Sequence, residues 1–190
     1  MSDVIRPAKL AHVVFRTKRY RELIDWYRCV VGAEITHSSE MVTFLYYDDE
    51  HHRLAFLNMP HLPEHTRAMP GVDHIAFTYA NLSDLLATYE RLKQEGIEPV
   101  WPVNHGATTS LYYKDPDENV VELQIDNFAS REETDAFLTD GRFAINPVGI
   151  DFDPDALLAR HRAGESDDVL TRWPDQVEPR TSPPPKAYLG

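Results

Sequence analysis

LAHVVFRTKRYRELIDWYRCVVG (residues 10–32) and VDHIAFTYANLSDLLATYERLKQEG (residues 72–96) are two versions of one segment. Shifted by 62 residues, His12 falls on His74, Leu23 on Leu85, Ile24 on Leu86, Tyr27 on Tyr89 and Val30 on Leu92. Each opens with a short apolar run, AHVVF or DHIAF, whose length and composition predict a strand. Each continues with apolar residues spaced i, i+3, i+4, i+7, the period of a helix with one buried face. The first face comprises Leu23, Trp26, Tyr27 and Val30. The second comprises Leu82, Leu85, Leu86, Tyr89 and Leu92. Ser83 is the expected N-cap of the second helix, and Gly32 and Gly96 are the expected C-terminal stops.

Three strands are expected after each helix: about 33–37, 41–47 and 52–58, then about 97–101, 109–114 and 119–125. The turns DDEHH and DPDEN separate the last two of each set. The chain therefore repeats a βαβββ unit. Such a unit cannot bury both faces of its sheet alone, so the expected fold class is α+β. Two βαβββ modules, about 8–59 and 71–126, would form a curved eight-stranded cup. Residues 60–70 lie in a proline-rich connection. Residues 127–190 form a C-terminal extension, with helices near 130–139 and 153–163 and then a Pro-rich end expected to be extended or disordered.

Bulk properties narrow the function. The 190 residues fit one domain plus a tail. The net charge of −12 argues against nucleic acid as a partner, because phosphate binding needs a basic surface. No apolar run is long enough to span a bilayer, and no apolar signal segment opens the chain, so no membrane partner and a cytoplasmic location are expected. The single cysteine, Cys29, excludes an intrachain disulfide and reads as a small buried apolar residue.

The repeat points to a metal. His12 and His74 occupy equivalent positions on the first strand of each module. Glu122 interrupts the apolar run Val120-Val121-Glu122-Leu123, where a carboxylate without a partner is costly. Two imidazoles and one carboxylate with open positions make the facial triad of non-haem Fe(II) oxygenases.

These residues carry a resemblance. Leu10-Ala11-His12-Val13-Val14, Asp25-Trp26-Tyr27 leading to Val31-Gly32, Val72-Asp73-His74-Ile75-Ala76-Phe77, and Tyr112-Tyr113-Lys114-Asp115-Pro116-Asp117 leading to Val121-Glu122-Leu123 resemble the vicinal oxygen chelate superfamily. That superfamily includes glyoxalase I, antibiotic-resistance proteins and type I extradiol dioxygenases. The resemblance covers about residues 9–126, and the family turn usually carries glycine where this chain has Glu118. Glyoxalase-like members add a carboxylate on the last strand of the first module. Here His52 to Asn58 offer none, with Asn58 the only substitute.

His51-His52-Arg53-Leu54-Ala55-Phe56 is similar to a stretch of extradiol dioxygenases that cleave bicyclic catechols. In that stretch the second histidine, here His52, is catalytic near the O2 site. Asn104-His105-Gly106 and Ser110-Leu111-Tyr112 are similar to the family's His-Gly segment and active-site tyrosine; Tyr112 lies ten residues before Glu122 and His105 seven before Tyr112. Read without the resemblance, His51-His52 is a charged corner, His105 a loop residue and Tyr112 a core aromatic.

The resemblance implies Fe(II), with Mn(II) as the other candidate ion, held by His12, His74 and Glu122. It implies His52, Tyr112 and His105 as catalytic groups, a catechol-type substrate with O2, and a homodimer. The alternatives are a glyoxalase-type isomerase or lyase and a non-catalytic resistance protein that binds a small molecule. His61 and His65 lie where they could touch substrate. Trp101, Phe56, Met59 and Tyr79 could line an aromatic pocket or belong to the core. Arg53 could meet a substrate carboxylate, although its strand neighbours suggest that it faces out.

Overall fold

A computed structural model describes residues 4–189. Its contacts divide the chain into two compact units, one ending at His65 and one starting at Thr66. The first contains β1 (Val13–Thr17), α1 (Tyr20–Val31), β2 (Glu34–Ser38), β3 (Val42–Tyr46) and β4 (Leu54–Asn58) in a sheet of order β1-β4-β3-β2. The second contains β5 (His74–Thr78), α2 (Leu82–Gln94), β6 (Trp101–Asn104), β7 (Thr108–Lys114) and β8 (Val120–Asp126) in the matching order β5-β8-β7-β6. In both, the strand before the helix pairs in parallel with the last strand, and the other pairs are antiparallel. The α+β class and the repeated βαβββ order are as the sequence reads.

The helices bury the faces that their periodicity marks, with one exchange. Leu82, Leu85, Leu86, Tyr89 and Leu92 are all buried in α2, each apolar side chain contributing about 1.5–3 kcal/mol relative to exposure. In α1 the buried set is Leu23, Ile24, Tyr27 and Val30. Ile24 takes the place expected of Trp26, which is half-buried and meets Tyr27 edge to face at 4.9 Å. Gly32 ends α1 with a left-handed φ of 68°. The N-cap of α2 is Asn81 rather than Ser83: its side chain accepts from the Asp84 amide, while Ser83 pairs with His161.

Two strand readings need correction. The strand expected at 97–101 begins at Trp101 and runs to Asn104, so only one residue is shared. Pro99, which has no N–H to give to a ladder, lies in the connection that leads into it. The second sheet also has five strands, not four, because β9 (Ile150–Asp151) from the extension pairs with β6.

The extension carries both expected helices, α3 (Arg131–Thr139), capped by Ser130, and α5 (Pro154–Arg162), capped by Asp153. It adds the short turns α4 (Arg142–Ile145), α6 (Asp167–Leu170) and α7 (Lys186–Leu189). The Pro-rich end, expected to be extended or disordered, thus closes in a helical turn that buries Tyr188. The last residue, Gly190, lies outside the described residues.

Candidate active site

In the second sheet, side-chain alternation sorts the chemistry onto one face. Glu122 stands opposite Tyr112, Tyr112 opposite Trp101, and Ala76, two residues beyond His74, opposite Glu122. The other face carries Leu111, Tyr113, Val121 and Leu123, all buried. Tyr113 accordingly points away from Tyr112, as the alternation requires.

His74 Nε2 lies 3.0 Å from Glu122 Oε2. Glu122 is only 4% exposed and sits in an otherwise apolar strand. Burial works to raise its carboxyl, but hydrogen bonds from His74 and Ser110 outweigh this and hold it below the usual range. His74 moves the other way. The hydrogen bond to Glu122 raises it, burial opposes, and Asp73 adds to the rise. Its Nδ1 donates to Asp73 Oδ2 at 2.8 Å. Arg67 pairs with the other carboxylate oxygen of Asp73, also at 2.8 Å.

Tyr112 and His105 form a second chain. His105 Nδ1 lies 2.6 Å from the Val148 carbonyl, which can only accept, so Nδ1 carries the proton. Nε2 is then the acceptor for the Tyr112 hydroxyl at 2.9 Å. Burial lowers the His105 pKa and keeps the ring neutral. Burial, reinforced by the negative charge of Glu122, keeps the Tyr112 phenol protonated. Tyr112 also meets the His74 ring edge to face at 5.2 Å.

In the first unit, His12 is exposed and lies one residue before β1. His52 stacks on it at 4.5 Å and on Phe44 at the same distance. Burial, with the charges of His12 and His51, lowers the His52 pKa and favours the neutral ring. Arg53 is half-buried and occupied. It pairs with Asp48 at 2.8 Å and donates to the carbonyls of Leu10 and Ala11, fixing the approach to His12 rather than waiting for a substrate. Asn58 spends its amide N–H on the Glu40 carbonyl at 2.9 Å. Phe56 packs between Phe15 and Tyr27 and is core.

The structure thus gathers His74, Glu122, Tyr112 and His105 in one unit and His12 with His52 in the other. Among the described residues of either unit, no three His, Cys, Asp or Glu side chains converge on one point. The donors present do suit a divalent transition ion. The 3.0 Å between His74 Nε2 and Glu122 Oε2 is also the spacing of two adjacent ligands that each lie about 2.1 Å from one ion. Asp73 in turn supplies the carboxylate that ligand histidines commonly use on their other nitrogen. The sequence reading missed Asp73, although it immediately precedes His74. It also missed Arg67, Asp151, Arg180 and Tyr188, for which no periodicity gives a signal.

Residues 9–123 match the Glyoxalase/Bleomycin resistance protein/Dioxygenase superfamily. The chain belongs to this superfamily. Two Rhodococcus globerulus proteins are similar to it across most of their length. Biphenyl-2,3-diol 1,2-dioxygenase 2 is 44% identical over 164 residues, 86% of each chain. Biphenyl-2,3-diol 1,2-dioxygenase 3 is 44% identical over 165 residues, covering 86% of this chain and 87% of the relative. Solved structures agree on the fold. A fosfomycin resistance protein from Listeria monocytogenes aligns with TM-score 0.52 at 22% identity, covering 68% of this chain and 99% of that one. A superfamily domain from a Frankia species aligns with TM-score 0.54 at 16% identity, covering 64% and 99%. Within the superfamily, this member departs from the glycine usual in the turn before β8. Glu118 takes the left-handed conformation itself, with φ 66°. The Asp115 carboxylate, accepting from the Asp117 and Asn119 amides, holds that turn.

Proposed function

We propose that this superfamily member is a metal-dependent extradiol dioxygenase that opens the ring of an aromatic 1,2-diol with O2. The observation that carries the reading is the 44% identity to two biphenyl-2,3-diol 1,2-dioxygenases over 86% of the chain. The pairing of His74 with buried Glu122 beside the Tyr112–His105 chain supports it.

In this reading His12, His74 and Glu122 hold Fe(II), or Mn(II) in its place. When bound, the ion supplies Lewis acidity toward the diol and electron exchange with O2. The chain's own groups handle position and protons. The Tyr112 hydroxyl, kept protonated by its burial and giving that proton to His105 Nε2, accepts a hydrogen bond from a diol hydroxyl through its oxygen. His105, its Nδ1 proton committed to Val148, offers Nε2 to orient the Tyr112 hydroxyl. His52, favoured in its neutral form, accepts a diol proton and returns it later as an acid. Both oxygen atoms enter the product, and the bond between one hydroxyl-bearing carbon and the ring carbon beside it outside the diol breaks. Diol plus O2 therefore equals the ring-opened oxo-acid product with nothing left over. The chain is proposed to act as a homodimer, which sedimentation would test.

The function test is oxygen uptake by protein loaded anaerobically with Fe(II), using 2,3-dihydroxybiphenyl and simple catechols. The expected result is consumption of one O2 per diol, abolished in His12→Ala, His74→Ala and Glu122→Ala. Uptake that persists in all three variants would overturn the assignment. A glyoxalase-type isomerisation would instead consume no O2.

A further inference from the structure

Arg180 and Tyr188 of the C-terminal segment pack against the second unit's site. Arg180 clamps Asp151 with two hydrogen bonds of 2.6 and 2.9 Å, and its guanidinium lies 5.6 Å from the Trp101 ring centre. Trp101 Nε1 donates to the same carboxylate at 2.7 Å. Pro183, Pro184 and Pro185 then carry the chain to α7 with little conformational freedom.

There Tyr188 is only 7% exposed. Its ring meets Trp101 at 4.7 Å and Tyr112 at 5.2 Å, both edge to face, and Arg67 covers it at 5.2 Å. Its hydroxyl donates to Asp73 Oδ2, the same oxygen that receives the His74 Nδ1 proton.

We infer that the C-terminal segment is a working part of the site, with Tyr188 a positioning residue that acts through Asp73 on the ring of His74. The inference rests on the proposed metal site. The Asp73 carboxylate, one oxygen held by Tyr188 and the other by Arg67, is kept from swinging away. It keeps the His74 proton on Nδ1 and leaves Nε2 to face Glu122. Partners of this kind, one step removed from a ligand, typically change metal affinity by about 10–100-fold when lost. Tyr188 acts one contact further out, so a loss of roughly tenfold is expected. Its ring also packs on Tyr112 and Trp101, adding the extension's aromatic side chain to that face.

The test is cobalt(II) binding to the full chain, followed by titration and by the visible absorption of the bound ion. Tyr188→Phe removes the hydroxyl and keeps the ring. Arg180→Ala loosens the segment and leaves Tyr188 unchanged. Both are expected to bind cobalt(II) about tenfold more weakly, with altered absorption, while circular dichroism shows the fold retained. Wild-type affinity and an unchanged spectrum in Tyr188→Phe would overturn the inference and leave the metal site standing. Failure of the wild-type chain to bind cobalt(II) would overturn the metal site itself, and this inference with it.

Discussion

Replacing Gly106 with alanine should destabilise the second unit by about 3 kcal/mol, for two separable reasons. Gly106 has a φ of 84°, where a side chain costs about 1–2 kcal/mol. A Cβ there would also stand 2.2 Å from Phe137 Cζ, 2.6 Å from its Cε1 and 3.0 Å from Trp173 Cε3. Phe137 is 2% exposed and packed among Phe128, Phe143 and Trp173, so its ring can make room only by giving up these contacts. Overpacking of this kind costs about 1–3 kcal/mol. Phe137→Ala alone should cost about 3–5 kcal/mol as a cavity. In the double variant the clash loses its two closest contacts and keeps only the 3.0 Å one to Trp173, so the two losses should fall short of additivity by about 1–3 kcal/mol. Urea denaturation of the four proteins measures the cycle. Additive losses, or a Gly106→Ala protein within about 0.5 kcal/mol of wild type, would refute the packing argument.

Three further outcomes are expected. Glu118→Gly relieves a left-handed residue of about 1–2 kcal/mol of strain. Against this stand the greater freedom of glycine when unfolded, about 0.5–1 kcal/mol, and the loss of the ion pair between half-buried Lys114 and exposed Glu118. The net should be a gain of about 0.5 kcal/mol and a Tm higher by roughly 1–2 °C; a lower Tm in a thermal scan would contradict it. For Asp151, burial favours protonation, but hydrogen bonds from Arg180 and Trp101 prevail and hold its carboxyl below the usual range. Its stabilisation is therefore fully present above an unfolded value of about 3.9 and is lost as pH falls through the lower folded value. Trp101 fluorescence should report release of the C-terminal segment in that acid window, and Asp151→Asn should remove the dependence; a wild-type signal flat to the acid unfolding transition would contradict this. His52→Phe should keep the metal and lower kcat by about 10²–10⁴-fold. Unchanged turnover, with metal content checked in the same sample, would remove His52 from the chemistry.

The repeat made most of the fold legible. Amphipathic helices announce themselves by spacing, so α1 and α2 could be read almost residue by residue, and the equivalence of His12 with His74 followed from the same alignment. Glu122 stood out because a carboxylate in a buried apolar strand demands a partner, and His74 is that partner. What escaped the reading depends on contacts distant in sequence. Tyr188 meets Asp73 across 115 positions, and Arg180 meets Asp151 across 29. Neither leaves a local pattern, and a Pro-rich tail reads as unstructured by composition. The two-residue strand β9 is too short for alternation to show. Ser83 and Asn81 are both good caps by type, and only the geometry of the first turn chooses between them.

The most direct test of the central claim is isotopic. Protein loaded anaerobically with Fe(II) would be mixed with 2,3-dihydroxybiphenyl under heavy-isotope O2, and the product examined by absorption and mass spectrometry. The account predicts a yellow ring-opened oxo acid that forms only with the metal present and carries both heavy oxygen atoms when sampled before exchange with water. A metal-loaded protein that leaves the diol ring closed, or a product with no oxygen from O2, would contradict it.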